Sequence, residues 1–369
     1  MRFVISRDTI LKPLNWVAGV VERRQTLPIL ANVLLSVEND RLTVTGTDLE
    51  TELVVAVSLE EPAASPGAVT LPARKLVDIC KSLPEGAQIE IAVEEQRATL
   101  RSGRSGFTLS TLPVADFPKL EDPDHSLAFE LERADLRKLI DRTAFAMAQQ
   151  DVRYYLNGML WELGGGRVRA VATDGHRLAL CSVELPALAD AEVVQVILPR
   201  KAVGELSRLL QEEGEAVHLA MGSRHFRAET PEFCFTSKLV EGRFPDYERV
   251  LPRACNRTIL GDRERLRQAF HRVSILAHEK YRGVRIQLDA GQMSIMANNP
   301  DQEEAREEVE VQFEGEPLEI GFNVSYLIDV MDVLVGSEAR IELSDANSSA
   351  LIAEHEGAEA MYVVMPMRL

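Results

Sequence analysis

The sequence predicts an α+β protein built from three similar domains in a row. Landmarks recur at a fixed interval, strands alternate apolar and polar residues, and each helix is apolar along one stripe only. Thr47-Asp48, in LTVTGTDLETEL, returns 126 residues later as Thr173-Asp174 in VRAVATDGHRLAL, and Asn298-Asn299 in MSIMANNPDQEEA follows after a further 125. Arg74-Lys75 in LPARKLVDICKSL returns after the same 126 residues as Arg200-Lys201 in LPRKAVGELSRLL. GFNVSYLIDVMDVL is the third copy, with the helical pattern but not the basic pair.

Each unit has an amphipathic helix near its start. Leu11, Leu14, Val17, Ala18 and Val21 mark its apolar face in the first copy. Leu136, Leu139, Ile140, Thr143 and Met147 do so in the second, and Leu266, Ala269, Phe270 and Val273 in the third. A loop then leads into a strand: ILANVLLSVE, LNGMLWELG and GVRIQLDA. Alternation at Leu42 and Val44, at Val55 and Val57, and at Val309, Val311 and Phe313 predicts antiparallel sheet with one buried face. Each unit therefore reads strand, helix, several strands, helix, more strands. Proline-rich LPVADFPKLEDPDH and FPDYERVLPRACN place the cuts, giving domains 1–125, 126–253 and 254–369.

The composition, 46% hydrophobic and 27% charged, excludes a disordered chain. No apolar run approaches the roughly 20 residues that span a bilayer, and the N-terminus has no signal-peptide pattern. A cytoplasmic location is expected. Cys80, Cys181, Cys234 and Cys255 form no C-x-x-C pair and have no histidine at ligand spacing, so free thiols are expected and no metal or cofactor. Nucleophile-elbow, H-E-x-x-H and phosphate-loop motifs are absent, and Gly164-Gly165-Gly166 between strand patterns reads as a hairpin turn. The chain is expected not to be an enzyme.

The net charge of −17 argues against tight nucleic-acid binding by affinity. Yet lysine and arginine gather on the polar helix positions: Lys12, Arg23, Arg24, Arg74, Lys75 and Lys81, then Arg137, Lys138, Arg142, Arg200, Lys201 and Arg208, then Arg263, Arg265, Arg267 and Arg272. Acidic residues concentrate in strands and loops such as DQEEAREEVEVQFEGEPLE. Either these are ordinary solvated helix faces, or they form a basic helix-lined surface aimed at phosphates.

Longer motifs carry a family resemblance. TLPIL (26–30), TGTDLE (45–50), LPARK (71–75), QDVRYYLNGM (150–159), ATDGHRL (172–178), FTSKLVEGRFPDY (235–247), EKYRGVRIQ (279–287), NNPDQEEA (298–305), EIGFNVSYL (319–327) and YVVMPMRL (362–369) resemble the bacterial DNA polymerase III beta subunits, the sliding clamps, of proteobacterial type. The resemblance runs from the first strand to the last residue. It implies the DNA clamp fold: in each of three domains, antiparallel sheets outside and two helices facing a central hole, with two chains joined head to tail as a ring. The implied function is processivity without catalysis, by encircling duplex DNA without regard to sequence and tethering proteins through a peptide pocket. The implied partners are the polymerase III catalytic subunit, the clamp loader, translesion polymerases and repair or regulatory proteins, with no membrane.

By matched motif, the resemblance places the partner-peptide pocket on Leu156, Thr173, Gly175, His176, Arg177, Leu178, Pro245, Arg249, Val250, Asn347, Ser349, Val363, Val364, Met365, Pro366, Met367 and Arg368. Leucine, valine and methionine suit an adaptable apolar groove, and Arg177, Arg249 and Arg368 could hold the polar atoms of an extended peptide. Taken alone, ATDGHRL could equally be strand, turn and strand with His176 on the surface. DNA contact is implied for Arg24, Gln150 and Tyr154, near Tyr155, and on the helices for Lys12, Lys75, Lys81, Lys138, Arg200 and Lys201. The dimer contact is implied for Phe107 and Leu109 against Ile275 and Leu276. Lys75, Arg97 and Arg104 would there face Asp301, Glu303, Glu304, Glu307 and Glu308. Two residues depart from the family pattern at that contact: Gly106 stands where a basic residue is common, and Arg306 interrupts the acidic run. A sheet-based interaction scaffold with no DNA role is the rival reading, and the basic helix faces speak against it.

Overall fold

One order of elements runs three times through the chain. The computed structural model describes residues 1–21, 27–120, 126–252, 255–355 and 359–368. The first pass is β1 (Arg2–Ser6), α1 (Arg7–Val20), β2 (Asn32–Glu38), β3 (Arg41–Thr47), β4 (Thr51–Ser58), β5 (Gly67–Pro72), α2 (Ala73–Ser82), β6 (Gln88–Glu94), β7 (Arg97–Ser102) and β8 (Ser105–Ser110). The second is β9 (Leu127–Leu131), α3 (Arg133–Thr143), β10 (Gly158–Gly164), β11 (Arg167–Thr173), β12 (Arg177–Glu184), β13 (Val194–Pro199), α4 (Arg200–Leu209), β14 (Val217–Met221), β15 (His225–Glu229) and β16 (Phe233–Lys238). The third is β17 (Arg257–Asp262), α5 (Arg263–Ser274), β18 (Gly283–Asp289), β19 (Gln292–Asn298), β20 (Glu304–Glu310), β21 (Leu318–Asn323), α6 (Val324–Val333), β22 (Glu338–Leu343), β23 (Ala350–Glu354) and β24 (Ala360–Val364).

The strands pair antiparallel into four sheets. Two have four strands, β1-β6-β7-β8 and β20-β19-β18-β21. Two have eight, β5-β2-β3-β4-β16-β15-β14-β9 and β13-β10-β11-β12-β24-β23-β22-β17. Each eight-stranded sheet is thus a half from one repeat hydrogen-bonded to a half from the next, through β4–β16 and β12–β24. The contacts group the chain accordingly into two units, Met1–Arg133 with Gly204–Leu239, and Ala134–Val203 with Val240–Leu369. The central repeat contributes one half-sheet to each unit.

Local chemistry sets the helix starts. The Ser6 hydroxyl accepts from the Thr9 amide at 3.1 Å, Asp262 from Arg265 at 2.8 Å and Asn323 from Ser325 at 2.9 Å, each satisfying a donor that the first turn leaves unpaired. The buried stripe of α5 is the expected one, Leu266, Ala269, Phe270 and Val273, all fully buried. In α3, Leu136, Leu139, Ile140 and Thr143 are buried, while Met147 is buried beyond the helix end. The expected stripe of α1 needs correction. Its core face is Ile10, Pro13, Leu14, Val17 and Val20; Leu11 and Ala18 are half-buried, each one residue and about 100° round the helix from that line. Val57 is half-buried, and Val311 and Phe313 are buried but lie past the end of β20, where Gln312 bridges to Leu260.

Gly165 (φ 59°) and Gly166 (φ 76°) turn β10 into β11, the left-handed pair that a tight hairpin requires. The four cysteines are free; Cys80 and Cys181 are buried, and burial pushes both thiols up to about 11. No helix among the described residues is long and apolar enough to cross a membrane.

Phe270 has no exposed surface at the heart of the α5 face. Phe270→Ala should cost about 3–5 kcal/mol of unfolding free energy, from lost burial and the cavity left behind, read as a lowered urea midpoint.

Candidate functional site

Where β11 turns into β12, a short polar turn presents an apolar floor. The Thr173 hydroxyl donates to the Arg177 carbonyl at 2.6 Å and accepts from the Gly175 amide at 3.0 Å. One Asp174 carboxylate oxygen accepts the amides of His176 (2.9 Å) and Arg177 (3.0 Å). Gly175 sits at φ 89°, a left-handed conformation that favours glycine. On the other side of β12, β24 pairs Val364 with Arg177 and Val363 with Leu178. The Met365 amide donates to the His176 carbonyl at 2.9 Å, which carries the tail along the turn.

Between the turn, the tail and segment 245–250 opens a cavity of about 180 Å³. Leu156, Leu178 and Val363, all but buried, form its floor over Leu160, Val171 and Leu180. Pro245, Tyr247 and Val250 line it on one side and Thr173, Gly175, His176 and Arg177 on another. Met365, 42% exposed, stands at the rim. An apolar hollow of this size with a few fixed polar groups suits one or two apolar side chains.

Two lining residues, Arg153 and Tyr247, were not among those expected from sequence. The Tyr247 hydroxyl accepts from Arg169 at 2.6 Å and lies 3.3 Å from Glu162, while Arg169 and Glu162 pair at 3.0 Å, so the ring wall is anchored to β10 and β11. Its only sequence signal was its position in PDYERV, between two nominated residues. Arg153 holds Asp151 through two hydrogen bonds, 3.0 and 2.8 Å, and reaches the Asp174 carbonyl at 3.2 Å. That side-chain bond holds the Asp151 carboxyl down at about 2.

Arg177 lines the cavity, as expected, and is held in place by its own chain. Its guanidinium bonds Asp174 at 3.1 Å, Asp329, and the Phe145 carbonyl at 2.9 Å. It also lies 5.2 Å from the Phe145 ring and 4.6 Å from that of Tyr326. Each of its three nitrogens makes one bond to the protein, which fixes the guanidinium in the cavity wall and leaves two of its five N–H groups outside these bonds. Arg249 is 82% exposed and paired with Asp246 at 2.7 Å, outside the cavity. Val364 is buried in β24; Asn347 is exposed in a turn held by Asp345; Ser349, Pro366 and Met367 are half-buried, and Arg368 is exposed. None of these lines the cavity.

Among residues considered for DNA, Arg24 lies outside the described residues. Gln150 (φ 56°) and Tyr154 (56% exposed) stand on one exposed loop. Lys75 and Lys81 are exposed on α2 with no carboxylate partner among the described residues. Lys12 pairs with Glu212 at 2.6 Å, Lys138 with Glu359, and Arg200 donates to the Met147 carbonyl at 2.8 Å; Lys201 is half-buried and partnered. For the chain–chain contact, Phe107 (half-buried) and Leu109 (buried) lie on the edge strand β8. Arg97 and Arg104 are exposed near it. Ile275 is 76% exposed and Leu276 half-buried. Glu303 and Glu304 are exposed at the edge strand β20, where Glu307 is held by Arg272 through two 2.8 Å bonds. No group of His, Cys, Asp or Glu able to hold a metal ion occurs among the described residues.

Comparison with known proteins agrees along the whole chain. The N-terminal domain family of the DNA polymerase III beta subunit matches residues 1–121, its central domain family 130–246 and its C-terminal domain family 248–368. A "Beta sliding clamp" of Pseudomonas putida is 59% identical, with all of both chains covered, and that of Escherichia coli K12 is 50% identical over the same extent. Among solved structures, the Pseudomonas aeruginosa sliding clamp bound to griselimycin superposes with a TM-score of 0.97 at 59% identity over all of both chains. The Caulobacter crescentus beta subunit gives 0.94 at 39%, again over all of both chains.

The Asp151–Arg153 pair can be tested by pH. A carboxyl held below its ordinary value contributes stability that is present above the ordinary carboxylate range and is lost as pH falls through the lowered value. In a carboxyl-carbon NMR titration Asp151 should titrate at about 2, and Arg153→Ala should return it towards the model-peptide value of about 3.9.

Proposed function

The chain belongs to the DNA polymerase III beta subunit family, a family of sliding clamps, and from that membership we propose how it assembles, holds DNA and recruits partners. Its function is that of a polymerase III sliding clamp in DNA replication. Two chains join head to tail into a closed ring of six domains, with cuts near residues 125 and 253, helices lining the hole and sheets outside. The ring encircles duplex DNA without reading its sequence and has no catalysis of its own. It works in the cytoplasm.

One observation carries this reading: the two unpaired half-sheets. When the repeats are aligned strand by strand through their pairing, Leu53 and Ala179 are equivalent, and so are Phe235 and Tyr362. The β4–β16 joint sets Phe235 opposite Leu53, and the β12–β24 joint sets Tyr362 opposite Ala179, so both joints have one register. The third set of equivalents is Ala305 on β20 and Phe107 on β8, the facing edges of the two four-stranded sheets. At both joints these residues are completely buried, whereas Ala305 and Phe107 are only half-buried. Pairing β8 of one copy with β20 of another in the same register completes a third eight-stranded sheet and covers both. Done at each end, it closes a ring. Exposed Ile275 and half-buried Leu276, at the end of α5, would be covered at the same contact.

Encirclement also accounts for the net charge of −17. A topological hold needs no strong grip, and weak phosphate contacts by Lys75, Lys81, Gln150 and Tyr154 permit sliding. The cavity at the β12–β24 joint accepts apolar side chains of short peptide segments. Its candidate users are the polymerase catalytic subunit, the clamp loader, translesion polymerases and repair or regulatory proteins. The griselimycin complex of the similar Pseudomonas aeruginosa clamp supports a ligand site on this fold.

With a clamp loader and ATP supplied, the protein should stay on nicked circular DNA and be lost when the circle is cut. Equal retention on both forms would mean binding by ordinary affinity, and no retention beside a reference clamp that loads would favour the scaffold. Removal of residues 365–369 should abolish binding of an apolar peptide while leaving the sedimenting species a dimer; peptide binding that survived would move the pocket elsewhere.

A further inference from the structure

Gly106 and Arg306, the two residues that depart from the family pattern, occupy equivalent places on opposite edges. The β4–β16 joint pairs Cys234 with Val54, next to the Phe235–Leu53 pair. The β12–β24 joint pairs Met361 with Leu180, next to Tyr362–Ala179. The same step on the free edges leads from Phe107 to Gly106 and from Ala305 to Arg306. Side chains that oppose each other across antiparallel strands lie on one face. Here that is the face away from α5, since the intervening Glu307 points to Arg272 of that helix.

We propose that Arg306 of one copy lies across the space left by Gly106 of a second copy, so that the pair forms a size-and-charge complement specific to this chain. The proposal rests on the ring described above. A Cβ at Gly106 would meet nothing within 4 Å in the free chain, so the gap is open. Arg306 is 63% exposed and reaches only along its own strand, to Glu308 at 2.8 Å. Met296 stands opposite Arg306 on β19, and Arg101 stands opposite Gly106 on β7. The row across the seam therefore runs Met296, Arg306, Gly106, Arg101. A basic side chain at 106 would stand between two arginines, which explains why the position is empty. The same register brings Arg104 of the second copy opposite Glu308, next to Arg306. The seam thus selects a second copy of this chain over a chain with arginine at 106.

The test is sedimentation equilibrium of the full chain beside three variants. Gly106→Arg should weaken dimerisation roughly tenfold, about 1.4 kcal/mol in all, since it sets like charges directly opposite each other at both seams. The double variant Gly106→Arg with Arg306→Glu should return to near the wild-type dissociation constant, while Arg306→Glu alone changes it less than Gly106→Arg does. Gly106 is extended and unobstructed, so the variant monomer should keep its melting temperature. Dimerisation unaffected by Gly106→Arg, or a double variant as weak as the single one, overturns the pairing. Diamide oxidation gives a second readout: Gly106→Cys with Arg306→Cys should link two chains, and Thr108→Cys with Arg306→Cys, two residues out of register, should not. The reverse result overturns the register. A wild type that sediments as a monomer sinks the ring, and the pairing with it, whereas a dimer indifferent to these variants sinks the pairing alone.

Discussion

The structure depends on one constraint: the edge of a β-sheet is a row of backbone donors and acceptors that must find partners. Each repeat makes two half-sheets, and each half-sheet has one edge strand at the place where the repeats join: β4, β12 and β20 on one kind, β8, β16 and β24 on the other. Inside the chain those edges are joined in sequence, β4 to β16 and β12 to β24. A linear chain of repeats cannot satisfy its own ends this way, so β8 and β20 remain open. The burial of Leu53, Phe235, Ala179 and Tyr362, against the partial exposure of Phe107 and Ala305, is the same constraint seen in the side chains. A second chain that supplied the next repeat would continue the fold, which is why the proposed assembly needs no new kind of contact.

The electrostatics follow from that architecture. Much of the positive charge read on the helices is spent inside the protein. Arg142 meets Glu354 at 2.5 Å, Arg208 donates to the carbonyls of Asn15 and Trp16 at 2.9 and 2.5 Å, Arg267 meets Asp332 at 2.5 Å, and Arg272 holds Glu307. Several of these tie one repeat to the next within a unit. What has no carboxylate partner among the described residues, such as Lys75 and Lys81, is a modest surplus on an acidic chain. That balance suits a protein that must stay near a polyanion without stopping on it.

The periodic parts of the structure were legible in the sequence. Burial imposes spacing, so Leu266, Ala269, Phe270 and Val273 revealed α5, and the recurrence of Thr47-Asp48 as Thr173-Asp174 revealed the repeat. Most of the cavity was legible: ten of its twelve lining residues, the floor residues Leu156, Leu178 and Val363 among them, came with matched motifs. The engagement of Arg177 was not legible, because its partners lie far away in sequence, at Phe145, Tyr326 and Asp329. Nor was the anchoring of Tyr247 by Arg169 and Glu162. An ion pair between distant segments leaves no local period, so the sequence placed Arg177 at the cavity without showing what holds it there. The stripe of α1 was legible at Leu14, Val17 and Val21 but not at Leu11 and Ala18: beside Ile10 and Val17 these offer a second, neighbouring apolar line, and only packing chooses between the two.

The position of the cavity follows from comparing equivalent residues at the two joints. The backbone scaffold is the same at both. The Met365 amide donates to the His176 carbonyl at 2.9 Å, and the equivalent Lys238 amide donates to the Glu50 carbonyl at 2.8 Å. The side chains differ. Where the second joint has Leu178 and Val363 as a floor, the first has Glu52 and Thr236, paired with each other. Where the second has Met365 and His176 at the rim, the first has Lys238 and Glu50, closed by an ion pair at 3.1 Å. At the open seam the equivalent floor positions are Glu304 and Thr108, again polar. A carboxylate in place of Leu178 would have to be desolvated by any apolar peptide that covered it, at a cost that the small contact could not offset. The fold therefore supplies the same groove scaffold at every joint. Leucine and valine in place of glutamate and threonine give the β12–β24 joint, and not the β4–β16 joint, an apolar floor.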